Sequence, residues 1–198
     1  MSILNHKCPV KPQTCLLIID MQKGSFTPET PWFETDSIVK KINSLAAMFR
    51  KNAWLVAFVQ HNGSAMDEFI PNTHDWELLD DLMVHEQDMM VEKFANDVFY
   101  NTNFHAKLKE LHVNEIVITG CATDFCVEST IQSALVKDFN ILVVEDGHTT
   151  GNRPFMEARQ VINHYNWVWK NMTPTKGKIE VRPYSTIMTL HEQAIDQS

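Results

Sequence analysis

Thr14 to Asp20 reads TCLLIID, five apolar or small residues in succession closed by a carboxylate. A strand with one wet face alternates apolar and polar positions. An unbroken run of this kind suits a strand covered on both faces, as in a parallel sheet packed between helices. Three further short apolar runs have the same character: Trp54 to His61 (WLVAFVQH), Glu115 to Thr119 (EIVIT) and Asn140 to Glu145 (NILVVE). Met89 to Glu92 is a shorter strand running into Lys93, and Lys178 to Arg182 is a candidate last strand.

Helical stretches fall between these runs. One extends from a cap at Thr35 or Asp36 to about Lys51, with Ile38, Val39, Ile42, Leu45, Ala46 and Phe49 on one face. Others are expected over Phe104 to His112, from about Cys126 to Lys137, and from about Pro154 to Asn171. Lys23 to Trp32 is a loop rich in Gly, Pro and Thr, and Asn62 to Asp81 is a long polar connection with one short helix near Trp76. Strands alternating with helices imply a mostly parallel sheet with helices on both faces. With no repeat, low-complexity stretch or linker, residues 1–198 read as one α/β domain.

Composition narrows the function. Hydrophobic residues make up 44% and charged residues 21%, an ordinary globular mix. A formal net charge of −8 without a basic block argues against nucleic acid, and a small-molecule partner is expected instead. Met1 to Val10 shows no basic-then-apolar leader pattern, and no apolar run reaches the roughly 20 residues of a membrane helix. A cytoplasmic location is therefore expected, and the sequons at Asn62 and Asn171 read as chance matches. Cys8, Cys15, Cys121 and Cys126 form no Cys-x-x-Cys pair, so thiols are the default state.

In open α/β sheets ligands bind at the carboxyl ends of the strands. That rule singles out Asp20, His61, Lys93, the Gly120–Cys126 loop and Asp146 to Thr149. Cys126 sits where a loop gives way to a helix, and amides at a helix start favour a negative charge, which would lower a thiol's pKa. The same amides suit a developing oxyanion. Position alone leaves other readings open. Cys126 also fits a small buried hydrophobe, Asp20 an exposed loop residue, and Lys93 a solvated strand end.

Three motifs in order resolve these choices by resemblance. Asp20-Met21-Gln22 after an apolar strand resembles the first motif of isochorismatase-like cysteine hydrolases. Lys93 with Phe99 and Thr102 resembles the second. Ile118-Thr119-Gly120-Cys121-Ala122-Thr123-Asp124-Phe125-Cys126-Val127 resembles the third, in which the nucleophilic cysteine lies six residues past the glycine. The resemblance spans about Thr14 to Thr150. It implies a three-layer α/β/α sandwich around a six-stranded sheet of Rossmann-like topology, with Asp20, Lys93 and Cys126 as catalytic triad. It further implies a cis peptide between Cys121 and Ala122 and an oxyanion hole from the N–H groups of Ala122 and Cys126.

The reaction so implied is hydrolysis of a small amide or lactam, a non-peptide C–N bond, through a thioester on Cys126. Phe26, Trp32, His61 and Phe94 are the candidate substrate-binding side chains. Core packing explains each aromatic equally well, and a lone His61 also fits a structural role. Asp146 to Thr150 (DGHTT) and His164 to Trp169 (HYNWVW) resemble a subgroup that includes streptothricin hydrolases. Nicotinamidases of the family bind a metal through an Asp and histidines just after the second strand. Here the carboxylate position holds Gln60, so no metal and no cofactor is expected. A homo-oligomer, dimer or tetramer, is also expected.

Four alternatives remain in view. Isochorismatase itself cleaves a vinyl ether, in some relatives without a cysteine. A redox-sensing Cys126 would leave Asp20 and Lys93 without a role. A non-catalytic binding protein would not need all three residues. A flavodoxin-like nucleotide binder would place Asp20-Met21-Gln22-Lys23 against phosphate.

Overall fold

The computed structural model describes residues 13–28, 31–64 and 68–195. Cys8 lies outside the described residues. The apolar run that opens the chain forms β1 (Gln13–Ile19), and the other strands are β2 (Leu55–His61), β3 (Met89–Lys93), β4 (Val113–Cys121), β5 (Asn140–Thr149) and β6 (Ile179–Arg182). All five pairings are parallel, in the order β3-β2-β1-β4-β5-β6. The order reverses between β1 and β4, so a crevice opens at their carboxyl ends.

The helices are α1 (Thr35–Lys51), α2 (Phe104–Glu110), α3 (Glu128–Leu135), α4 (Ala158–Lys170) and α5 (Tyr184–Ile195). Alternation along β1 explains the three layers. Leu16 and Ile18 join a core with Ile38, Ile42, Leu45 and Phe49 of α1 and Ile187 of α5. Cys15, Leu17 and Ile19 face the other way, onto Leu108 of α2, Ile131 and Ala134 of α3 and Trp169 of α4. Both faces are dry, which is why the run carries no polar residue. No helix among the described residues is long and apolar enough to cross a membrane.

Several boundaries differ from expectation. α1 is preceded by Glu34 in a left-handed conformation, and the Thr35 hydroxyl donates to the Trp32 carbonyl rather than capping the helix. α4 begins at Ala158 because Arg153 and Met156 close a tight turn. A capping box between Glu157 and Gln160 then starts the helix. β5 runs four residues past Glu145, to Thr149. α3 begins at Glu128 after a π-helical turn over Thr123–Val127, so Cys126 lies in that turn rather than at the helix start. α5 had no counterpart in the sequence reading.

Gly120 fixes how closely β4 meets β1. Its φ is +107°, and a Cβ there would lie 2.2 Å from the Ile19 carbonyl oxygen. Only glycine fits both conditions. Where β4 ends, the Cys121–Ala122 peptide bond is cis.

Candidate active site

Asp20 directly follows β1, where the chain leaves the sheet with φ +49° while its N–H still donates to the Val59 carbonyl. Lys93 is the last residue of β3, two strands away, about 10 Å at ordinary strand spacing. The long lysine stem crosses the end of β2 to close that gap. Its Nζ lies 2.6 Å from Asp20 Oδ2, 3.2 Å from Cys126 Sγ and 3.0 Å from the Ala95 carbonyl oxygen. His61 Nδ1 is 3.4 Å from the same nitrogen. A fully buried ammonium is costly to desolvate, and the carboxylate contact offsets that cost. Asp20, Lys93 and Cys126 are thus brought together at the switch point of the sheet.

The electrostatics differ from the sequence reading in one respect. Burial pushes the Cys126 thiol up to about 12, and the Asp20 carboxylate adds to the rise, while Lys93 opposes it. The expected lowering at a helix start is not found, because the dry site and the neighbouring carboxylate outweigh the ammonium. Burial also raises Asp20, against the pull of Lys93. Lys93 is lowered by burial, but Asp20 and Cys126 more than reverse this and leave it raised. At neutral pH Lys93 is charged and Cys126 carries its proton. The second oxygen of Asp20, Oδ1, is buried and accepts no hydrogen bond.

A cavity of about 1000 Å³ opens above this cluster. Asp20, Cys126, Ala122, His61 and Trp32 all line it. Phe26 lines an adjoining cavity of about 460 Å³ instead, and its ring centroid lies 5.2 Å from that of Trp32, which borders both. Phe94 is 67% exposed and lines neither cavity, a correction to its assignment as a pocket aromatic. It lies in the bend just after β3 ends at Lys93.

Gln60, read from the sequence at the position of the nicotinamidases' carboxylate, is buried and donates through Nε2 to the Trp76 carbonyl. An amide in that role presents no anion to a cation. Among the described residues no group of three or more His, Cys, Asp and Glu is arranged to hold a metal ion.

Three buried or half-buried polar arrangements support the site beyond Asp20, Lys93 and Cys126. Gln22, wholly buried, clamps His61 by accepting from its N–H at 2.7 Å and donating to its carbonyl at 3.1 Å. Behind Cys126, His148 is buried and lowered to about 4 by desolvation. Its Nδ1 lies 2.8 Å from the Thr123 hydroxyl and its Nε2 3.1 Å from Asn166 Oδ1. Because Asn166 donates to the Glu145 carbonyl through Nδ2, Oδ1 must accept from Nε2–H, which fixes the neutral tautomer. Asp124 takes Arg153 side-on, with Nε to Oδ2 at 2.7 Å and an Nη2 contact to Oδ1 at 2.9 Å. Cys121, by contrast, is a structural thiol. It is buried, donates to the Asp20 carbonyl, and is raised well above the ordinary thiol value by desolvation.

Comparison with known proteins agrees with this geometry. The family model for the isochorismatase domain matches residues 14–171. A streptothricin hydrolase of Streptomyces noursei is 25% identical over 145 residues, covering 73% of this chain and 58% of that protein. A ureidoacrylate amidohydrolase of Pseudomonas syringae pv. syringae (strain B728a) is 24% identical over 204 residues, covering 80% of this chain and 81% of that protein. The crystal structure of an isochorismatase from Pseudomonas putida KT2440 superimposes with a TM-score of 0.80 at 24% identity. It covers 89% of this chain and 93% of the other, and shows the same fold.

Proposed function

The chain belongs to the isochorismatase family, and we propose that it is a cysteine hydrolase cleaving a non-peptide C–N bond, in a small amide or lactam, through a thioester on Cys126. One observation carries the reading: Lys93 Nζ bridges Asp20 Oδ2 and Cys126 Sγ beneath an open cavity, with Asp20 Oδ1 unpartnered. The relatives named as a streptothricin hydrolase and an amidohydrolase support the bond type.

The chemistry follows from the charges. A thiol pushed up to about 12 is not a standing thiolate, so it loses its proton only as it attacks. Asp20, whose burial raises its own affinity for a proton, receives it. Cys126 Sγ bonds to the carbonyl carbon, and the main-chain N–H groups of Ala122 and Cys126 are the donors we assign to the resulting oxyanion. Asp20 then gives the proton to the departing nitrogen, the C–N bond breaks, and a thioester remains. Water adds to the thioester, the acid leaves, and the thiol regains its proton. Lys93 stays charged throughout and holds the migrating negative charge between carboxylate and sulfur.

A hydrolysis panel of amides, lactams and esters on wild type and Cys126→Ala tests the proposal. Release of amine from an amide or lactam by wild type alone supports it. Equal release by both proteins, or none by either, refutes it.

A further inference from the structure

Lys93 is a wholly buried ammonium with three N–H groups and four acceptors within reach. Asp20 Oδ2 stands at 2.6 Å, the Ala95 carbonyl oxygen at 3.0 Å, Cys126 Sγ at 3.2 Å and His61 Nδ1 at 3.4 Å. The first two are fixed partners. Asp20 carries the opposite charge, and the bend that holds Ala95 is pinned just beyond it. There the Phe99 N–H donates to Asp97 Oδ1 at 2.8 Å and the Val98 N–H to Thr130 Oγ1 at 3.4 Å. The third N–H is left between sulfur and imidazole. In the resting enzyme the sulfur is nearer, and the imidazole is the surplus acceptor.

That surplus acceptor is built in. His61 is the partner of Lys93 in the β2–β3 register, and Gln22 clamps its main chain from both sides. Its ring stands edge-on to Phe69, with centroids 6.2 Å apart. An ammonium has no lone pair to offer, so Nδ1 is the unprotonated nitrogen and the ring proton sits on Nε2.

The balance between the two acceptors changes along the reaction. A thiol or developing thiolate accepts from Lys93. A thioester sulfur is uncharged and its lone pair is drawn toward the carbonyl, so a buried, charged N–H aimed at it loses its partner. Sulfur regains charge only as water adds and the C–S bond breaks.

Resting on the thioester reading of the same site, we infer that His61 is a positioning residue for the covalent intermediate. It accepts the third N–H of Lys93 while Cys126 is acylated and gives it back to sulfur as the thioester breaks. His61 thus stabilises the acyl-enzyme more than the transition states on either side. Losing it slows formation of the acyl-enzyme and quickens its breakdown, whereas damage to the site slows both.

Acetyl transfer from 4-nitrophenyl acetate separates the two steps. The Cys126 thiol is acetylated with release of 4-nitrophenol, and water then frees acetate. With enzyme in excess, phenol release times the first step and loss of the acetyl mass from Cys126 times the second, with Cys126→Ala as the blank. His61→Leu, which has no acceptor, should slow acetylation about threefold and speed deacetylation about threefold, one long charge-assisted hydrogen bond divided between two barriers. His61→Asn, whose Oδ1 reaches the place of Nδ1, should bring both rates back toward wild type, and thermal unfolding checks that both variants fold. Deacetylation that is unchanged or slower in His61→Leu overturns the inference and leaves the hydrolase reading standing, as does no recovery in His61→Asn. No Cys126-dependent phenol release by wild type removes that reading and this inference with it.

Discussion

Lys93 Nζ stands 3.2 Å from Cys126 Sγ, yet the thiol is held far above its ordinary value, because burial and the Asp20 carboxylate act against the ammonium. The two charged neighbours of the sulfur therefore pull in opposite directions, and each can be removed separately.

Asp20→Asn removes a charge that opposes thiolate formation and leaves the one that favours it. The pH profile of Cys126 alkylation by iodoacetamide should shift to lower pH in this variant, while hydrolysis is lost with the base. Lys93→Met should shift the profile upward and also abolish hydrolysis. Unchanged profiles, or shifts of the opposite sign, would show that the three groups do not interact as described.

His148 gives a stability prediction with a definite pH window. Its folded value, about 4, lies below the ordinary 6.5, so between these values the unfolded chain binds a proton that the folded chain does not. Stability should fall as pH drops from about 6.5 to about 4, by up to about 3 kcal/mol from this group, and level off below for its part. Urea unfolding of wild type and His148→Gln at pH 7, 5.5 and 4.5 checks this. The wild-type loss over the window should exceed that of the variant, and equal losses would contradict the assignment.

At Gly120, alanine meets both a left-handed φ and the Ile19 backbone. Gly120→Ala should cost at least about 3 kcal/mol, since strand and loop must separate to accept it. Chemical denaturation measures the loss. A variant within about 0.5 kcal/mol of wild type, an ordinary surface-mutation effect, would mean the contact is not tight.

The parts of the fold that were legible in the sequence are those governed by short-range rules. The run Cys15 to Ile19 announces two-sided burial, and both cores confirm it residue by residue. Asp20, Lys93 and the Gly120–Cys126 loop stand at strand ends because apolar runs stop there, and the family resemblance selected them from other strand-end residues. What escaped depends on partners distant in the chain. Nothing near Arg153 announces Asp124, 29 residues earlier, and nothing near Gln22 announces His61. The rise of the Cys126 thiol depends on how deeply packing buries it, which no local pattern encodes. α5 was missed because Ser185, Thr186 and Thr189 are weak helix formers, and its helical state depends on Ile187 reaching the core. The late start of α4 was readable: Glu157 and Gln160 have the spacing of a capping box.

The central claim is that a covalent bond to Cys126 carries the hydrolysis, and one measurement addresses it most directly: kcat/KM of Cys126→Ser against wild type on the amide that wild type hydrolyses best. The serine keeps the size and hydrogen bonding of the thiol but is a poor nucleophile with only Asp20 as base. The account predicts a folded variant whose kcat/KM falls by several orders of magnitude. Substantial turnover by Cys126→Ser would contradict the thioester route and favour a reaction, such as vinyl-ether cleavage, in which Asp20 acts without the sulfur.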